Sequence, residues 1–429
     1  MLKRTGIALF LLMLSCPVSA QTVSDNRLRV TTYLTGFTQP TQLRFLGYDD
    51  VLITEKSTGR VIRSRGGVRT TLLDLNVANN SERGLLGLTL DPQFATNKQV
   101  YVYYSRSGTV GDGSTWAENR LSRFTFDGTA LVNEQLLRTF GSATDGQNVG
   151  PNHDGGPILF GPDGKLYGVV GDLNRIAAEQ NNTGTPNRSS LVGGVYRLNP
   201  DGTIPTDNPF ASNANPDFRP WFSYGVRNSY GLTFDPLTGN LWDTENGPGT
   251  NDEINMVTPG MNSGWLTLMG PSSRNPTAVP RLLNLPGSAY VDPKFTFLNP
   301  IGITALTFLA NTRFGNAYQN GLLVGDNNNG SLYLFRLNAA RNGFVLSGDL
   351  ADLVADSVTE RNLNRFGSGF GAVTDLQVGP DNAIYVTSFT QGRVFRIAAI
   401  SPEPSALLLL ASTLLIWLAV AANLRRQSP

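Results

Sequence analysis

A short apolar run, a turn and a second apolar run recur together six times along the chain. The first runs lie at 42–45, 86–90, 157–160, 231–234, 305–308 and 375–378. The second lie at 51–54, 100–104, 166–170, 241–244, 322–324 and 383–388. Five of the copies continue into a third run in which a basic residue sits beside an apolar or aromatic one, as in Gly194-Val195-Tyr196-Arg197-Leu198 and Gly392-Arg393-Val394-Phe395-Arg396-Ile397. Runs this short, bounded by Gly, Pro, Asn and Asp, read as strands. One such unit cannot bury both of its faces, so six copies predict units packed against one another. The expected fold is all-β, a six-bladed β-propeller with four-stranded blades, spanning 28–398. The run at 28–34 has no blade of its own and is expected to pair with the last blade and close the ring. First runs are about 44 to 74 residues apart, which leaves room for insertions such as 109–116 and 179–190.

Composition supports that picture and narrows the partners. Forty-six glycines and 25 prolines fall between the runs, as a turn-rich β chain requires. With 34 basic and 33 acidic residues and no basic run, nothing points to nucleic acid. The two ends read as processing segments. Met1-Leu2-Lys3-Arg4, an apolar stretch over 7–14 and Val18-Ser19-Ala20 form a secretory signal peptide over 1–20. The only cysteine, Cys16, lies inside it, so the mature chain has no thiol chemistry. At the other end, 405–422 carries no charge and precedes Arg425-Arg426, long enough to cross a bilayer with the arginines left on the cytoplasmic side. Pro402-Glu403-Pro404 before it makes the segment over 401–429 resemble a PEP-CTERM sorting tail. That resemblance implies an exported bacterial protein, held briefly at the membrane and then cut by an exosortase-type protease. A plain C-terminal anchor is the alternative.

The candidate chemistry centres on Asn152-His153-Asp154-Gly155-Gly156, which holds the only histidine of the 429 residues. A neutral imidazole is the side chain best suited to accept a proton near neutral pH. In a propeller, residues just ahead of each first strand and just after each second strand meet on one face. That rule gathers Glu82, Arg83, His153, Asp154, Arg227, Asn228 and Thr374 with Asp172, Asn174, Glu245 to Pro248 and Asp326 to Asn329. Histidine, arginine, carboxylates and amides around one depression make a polar small-molecule site with capacity for a cation. Zinc is excluded by one histidine and no mature cysteine, and Gly367-Ser368-Gly369-Phe370-Gly371 has the wrong spacing for a nicotinamide loop.

Several of these residues fall in longer motifs. Asn-His-Asp-Gly-Gly with Gly-Pro-Asp-Gly-Lys-Leu-Tyr and Val-Gly-Asp, Glu82-Arg83-Gly84-Leu85-Leu86-Gly87, and Tyr224-Gly225-Val226-Arg227-Asn228-Ser229-Tyr230-Gly231-Leu232 running into Leu241-Trp242-Asp243-Thr244-Glu245-Asn246-Gly247-Pro248 together resemble the glucose/sorbosone dehydrogenase family of PQQ-dependent soluble sugar dehydrogenases. The resemblance implies a small-molecule sugar as substrate and PQQ and Ca2+ as cofactors. It implies His153 as the general base at the sugar C1 hydroxyl, Arg227 and Asn228 as PQQ holders, and the Gly247 and Pro248 carbonyls as calcium ligands. Glu82, Asn152 and Asp172 are the candidate sugar-binding residues. Three positions depart from the family pattern: Asn328, Ala372 and Thr374 stand where cations facing PQQ are expected. Lys56 and Arg106, on second-strand exits of the same face, are the candidates to replace them. Two other readings fit the same fold: a non-redox sugar- or polymer-binding propeller and a calcium-dependent lactonase-type hydrolase.

Overall fold

A computed structural model describes residues 21–144, 150–174, 182 and 192–400. The leader read over 1–20, the tail over 401–429 and most of the 179–190 insertion lie outside the described residues. Strands are grouped in six sheets. The first strands of the sheets are Pro40–Gly47, Leu85–Leu90, Ile158–Phe160, Ser229–Phe234, Ile303–Phe308 and Val373–Val378, and each of the six predicted first runs falls on one of them. Each packs against the next, and the last returns to the first. The architecture is thus an all-β propeller, with these strands around its axis. Their crowding explains a glycine: a Cβ on Gly231 would lie 2.0 Å from the Thr304 carbonyl of the neighbouring strand, so any side chain there forces the two apart.

Every sheet contains four antiparallel strands, but only three stop there. Met261–Asn262 and Ala289–Tyr290 extend the third sheet to six strands, and Val354–Ala355 and Thr22–Val23 extend the fourth and fifth to five. The four-stranded blade is thus the repeated unit, and the additions are short strands of two residues each. Long connections run back along the outer edges, where their backbone groups pair with an otherwise open strand. The fourth sheet does have a third strand, Asp252–Val257, although the sequence there reads polar. The early strand Leu28–Thr35 pairs antiparallel with Arg393–Ala399, from Leu28 opposite Ala399 to Thr35 opposite Arg393. Residues from both ends of the propeller thereby share one sheet, as expected for a closed ring.

Away from the site, the repeated turn has a common logic. Asp163, in Gly-Pro-Asp-Gly, accepts from Tyr167 of the second strand at 3.0 Å and from Arg197 Nε of the third at 3.0 Å. Asp381 does the same with Tyr385 (3.2 Å) and Arg396 Nε (2.6 Å). One turn carboxylate thus clamps the three strands, which is why Asp, Tyr and Arg recur together in the sequence. Between the fourth and fifth sheets, the buried Asp235 holds Arg341 through Nε at 2.5 Å and Nη2 at 2.9 Å. Removing one partner of a buried pair leaves the other charge stranded, so Arg341→Ala is expected to lower stability by about 3–5 kcal/mol. A urea unfolding midpoint indistinguishable from wild type would contradict this.

Candidate functional site

One end of the axis opens into a depression of about 410 Å³. Its wall carries the amides of Asn228, Asn246, Asn327 and Asn328, the hydroxyls of Thr41, Ser81, Thr304 and Thr374, and the charged groups of Lys56 and Glu82. Leu86, Tyr230 and Phe389 supply apolar surface. Tyr230 and Thr374 also line a smaller cavity of about 130 Å³ farther along the axis, so they divide the two spaces.

His153 sits beside this depression on a tightly constrained loop. Its φ is +65°, a left-handed conformation that costs a non-glycine residue on the order of 1 kcal/mol. Gly155 makes the loop possible: its φ is +73°, and a Cβ there would stand 2.1 Å from the Val169 carbonyl. The His153 backbone N–H donates to Glu82 Oε2 at 2.6 Å, and Asn228 Nδ2 reaches both Glu82 oxygens at 3.4 Å. Glu82 therefore joins the histidine loop to the wall of the depression. The imidazole, largely buried, pairs through Nδ1 with Asp172 Oδ1 at 2.5 Å. The same carboxylate accepts from Asn174 N (2.8 Å, Oδ1) and from Trp265 Nε1 (2.8 Å, Oδ2). Since a carboxylate only accepts, Nδ1 carries a hydrogen, and in the neutral ring the lone pair is then on Nε2. No partner for Nε2 is found among the described residues.

Arg227 lies close by and is engaged by neighbouring backbone carbonyls. Its Nη1 donates to the Asn246 and Gly247 carbonyls at 2.9 and 3.0 Å, and its guanidinium stands over the Trp265 ring at 5.4 Å. Its backbone N–H donates to Glu245 at 2.7 Å. Asn228, by contrast, faces the depression. Asn152 accepts from the Ser81 hydroxyl at the rim. Gly247 N donates to Asp252 Oδ1 at 3.0 Å, and Pro248 is exposed beside it. Of the two candidate replacement cations, Arg106 is held by Glu118 through Nε at 2.5 Å and Nη2 at 3.0 Å, while Lys56 lines the depression. Burial pushes the Lys56 amine down, opposed by the charges of Asp154 and Glu82.

Buried carboxyls back the site. Burial raises Asp154 to about 6, offset mainly by Arg83, and Asn119 Nδ2 donates to it at 3.0 Å. In the fourth sheet, Asp243, Glu245 and Glu253 lie near one another, all raised by burial first, with like charges adding to it at Glu245 and Glu253. Only Glu245 of the three was gathered with the site residues from the sequence. The others were missed because both lie inside strands rather than at strand ends. No cluster of three or more metal-ligating His, Cys, Asp or Glu side chains is found among the described residues. Burial raises Asp243 to about 7, so its folded form holds a proton more tightly than the unfolded chain. Stability falls as pH rises from the ordinary carboxylate range to about 7, then levels. Asp243→Asn should therefore melt like wild type near about pH 4 and several degrees higher at about pH 8, as read by circular dichroism.

Fold and site define a β-propeller with a depression of mixed polar and apolar lining at one end of its axis. The chain belongs to the Glucose / Sorbosone dehydrogenase family, whose model matches residues 37–396. Aldose sugar dehydrogenase YliI of Escherichia coli (strain K12) is 26% identical over 321 residues, covering 74% of this chain and 78% of its own. Quinoprotein glucose dehydrogenase B of Acinetobacter calcoaceticus is 29% identical over 267 residues, 55% of this chain and 52% of its own length. The PQQ-bound aldose sugar dehydrogenase of Streptomyces coelicolor shares the fold, with a TM-score of 0.65 and 22% identity over 88% of this chain and 99% of that one.

Proposed function

We propose that the protein oxidises the C1 hydroxyl of an aldose to the lactone, with His153 as general base and PQQ as cofactor. The observation that carries this reading is the 2.5 Å His153–Asp172 pair beside a polar axial depression. Asp172 holds the hydrogen on Nδ1, so Nε2 is the atom that takes the hydroxyl proton. Trp265 and Asn174 fix Asp172 in turn, and Glu82 fixes the backbone of the histidine loop. Amides and hydroxyls on the wall hold sugar hydroxyls and displace water from them. PQQ, when bound, supplies the hydride acceptor.

The donors present fit that cofactor by a different balance from the family pattern. Asn228, Asn327 and Asn328 offer neutral donors, whereas Asn246 Nδ2 donates to the Asn228 and Ile303 carbonyls and Thr374 Oγ1 to the Pro40 carbonyl; Lys56 is the cation lining the depression among the described residues. Charge-assisted contacts contribute roughly 1.5–3 kcal/mol each against about 1 for neutral ones, so weaker retention is expected than with three facing cations. Calcium at the Gly247 and Pro248 carbonyls remains part of the proposal. The Gly247 carbonyl accepts from Arg227 through one of its two lone pairs, so an ion there would share that oxygen with a guanidinium, and no step is assigned to it. We also infer export, from the leader over 1–20, with the tail over 401–429 cut by a sorting protease. Mass spectrometry finding 405–422 intact in released protein would rule out that cleavage.

Loading purified protein with PQQ and calcium and presenting a panel of aldoses with a reducible dye tests the function. Dye reduction that depends on sugar and on PQQ is expected. Saccharide binding without PQQ binding would favour the non-redox reading, which the neutral residues at Asn328, Ala372 and Thr374 support.

A further inference from the structure

We propose that Lys56 is a binding residue for a carboxylate of the ligand held in the depression, an inference that rests on the function proposed above. Lys56 follows directly on the strand Asp50–Glu55, and its side chain is 6% exposed. Its Nζ donates to the Asn79 carbonyl at 3.1 Å, which uses one of three N–H groups. Among the described residues it forms no ion pair. The carboxylate that shares the depression, Glu82, is engaged by the His153 backbone and by Asn228 instead.

A buried ammonium without a carboxylate partner is costly in the empty protein. Arg106, inside the strand Gln99–Ser107, shows the ordinary solution, a two-pronged pair with Glu118. Lys56 has no such partner, and it borders a space large enough for a ligand. An anionic oxygen arriving in that space completes its hydrogen bonds and its charge. Burial lowers the Lys56 pKa, and a carboxylate bound beside it acts in the opposite direction. A planar carboxylate is carried both by PQQ and by a uronic acid, and the two sources separate by experiment.

Lys56→Met and Lys56→Arg serve as the test. PQQ is titrated by quenching of tryptophan fluorescence, glucuronate and glucose are titrated by calorimetry, and melting is followed without ligand. Lys56→Met is expected to weaken carboxylate binding by about 10- to 100-fold, with Lys56→Arg recovering part of it. Without ligand, Lys56→Met should melt no lower than wild type, since no ion pair is lost. A shift in the PQQ titration alone assigns the carboxylate to the cofactor. A shift in the glucuronate-to-glucose preference alone assigns it to the sugar. Unchanged titrations, or a variant whose only defect is a lower melting point, overturn the proposal. Wild-type protein that binds no PQQ sinks the proposed function, and the glucuronate arm then decides Lys56 separately. Wild type that binds neither carboxylate overturns both.

Discussion

His153→Ala is expected to lower dye-linked turnover by about 10²–10⁴-fold while PQQ affinity stays within a factor of about two, because general base catalysis carries an effect of that size. The residue is well suited to such a test. Its backbone, not its ring, donates to Glu82, so the loop keeps that anchor in the variant. Alanine meets the same left-handed φ of +65° that histidine does, so the substitution adds no backbone strain of its own. The change removed is the imidazole and its bond to Asp172. Full turnover in this variant, with sugar and PQQ bound, would mean that another group takes the proton.

Asp172→Asn should cost turnover on the order of 10²–10⁴-fold by a different route. An amide facing His153 can donate through its Nδ2, which favours the tautomer with hydrogen on Nε2 and removes the base without removing the ring. It also has one acceptor oxygen where the carboxylate has two, although Trp265 Nε1 and Asn174 N both donate there. The expected result is a loss in kcat with PQQ binding retained, and a pH–rate profile whose acidic limb no longer reports the histidine. A variant as active as wild type would show that Asp172 holds only structure. Comparing the two variants separates the proton acceptor from the group that orients it.

Much of the fold is legible because a propeller repeats one local problem. Each unit needs a strand near the axis, a turn and a second strand, and these leave short apolar runs that can be counted. The turn acids show the same thing in polar residues: Asp163 and Asp381 recur with their Tyr and Arg because each clamps three strands. Edge strands were not legible. Thr22–Val23, Val354–Ala355 and Met261–Asn262 are two residues long and are strands only because a partner edge is there to pair with. Asp252–Val257 escaped for a related reason, since its acidic residues are buried inside the protein rather than facing solvent.

The site divides along the same line. From the sequence alone came the repeat, the face on which loop residues gather, and the lone His153 in a glycine-flanked loop. These depend on spacing along the chain, which strand geometry converts directly into position. Tertiary structure decided which groups meet across that face. Asp172 lies 19 residues from His153 and Trp265 lies 93 from Asp172, so their contacts follow from how the third sheet brings loops of distant sequence to one end. Arg227 and Asn228 are adjacent in sequence, yet one binds the carbonyls of Asn246 and Gly247 and the other lines the depression. Lys56 follows the strand Asp50–Glu55, whereas Arg106 lies inside Gln99–Ser107, where Glu118 stands opposite it across the strands. That difference separates a paired charge from a buried ammonium lining the ligand space.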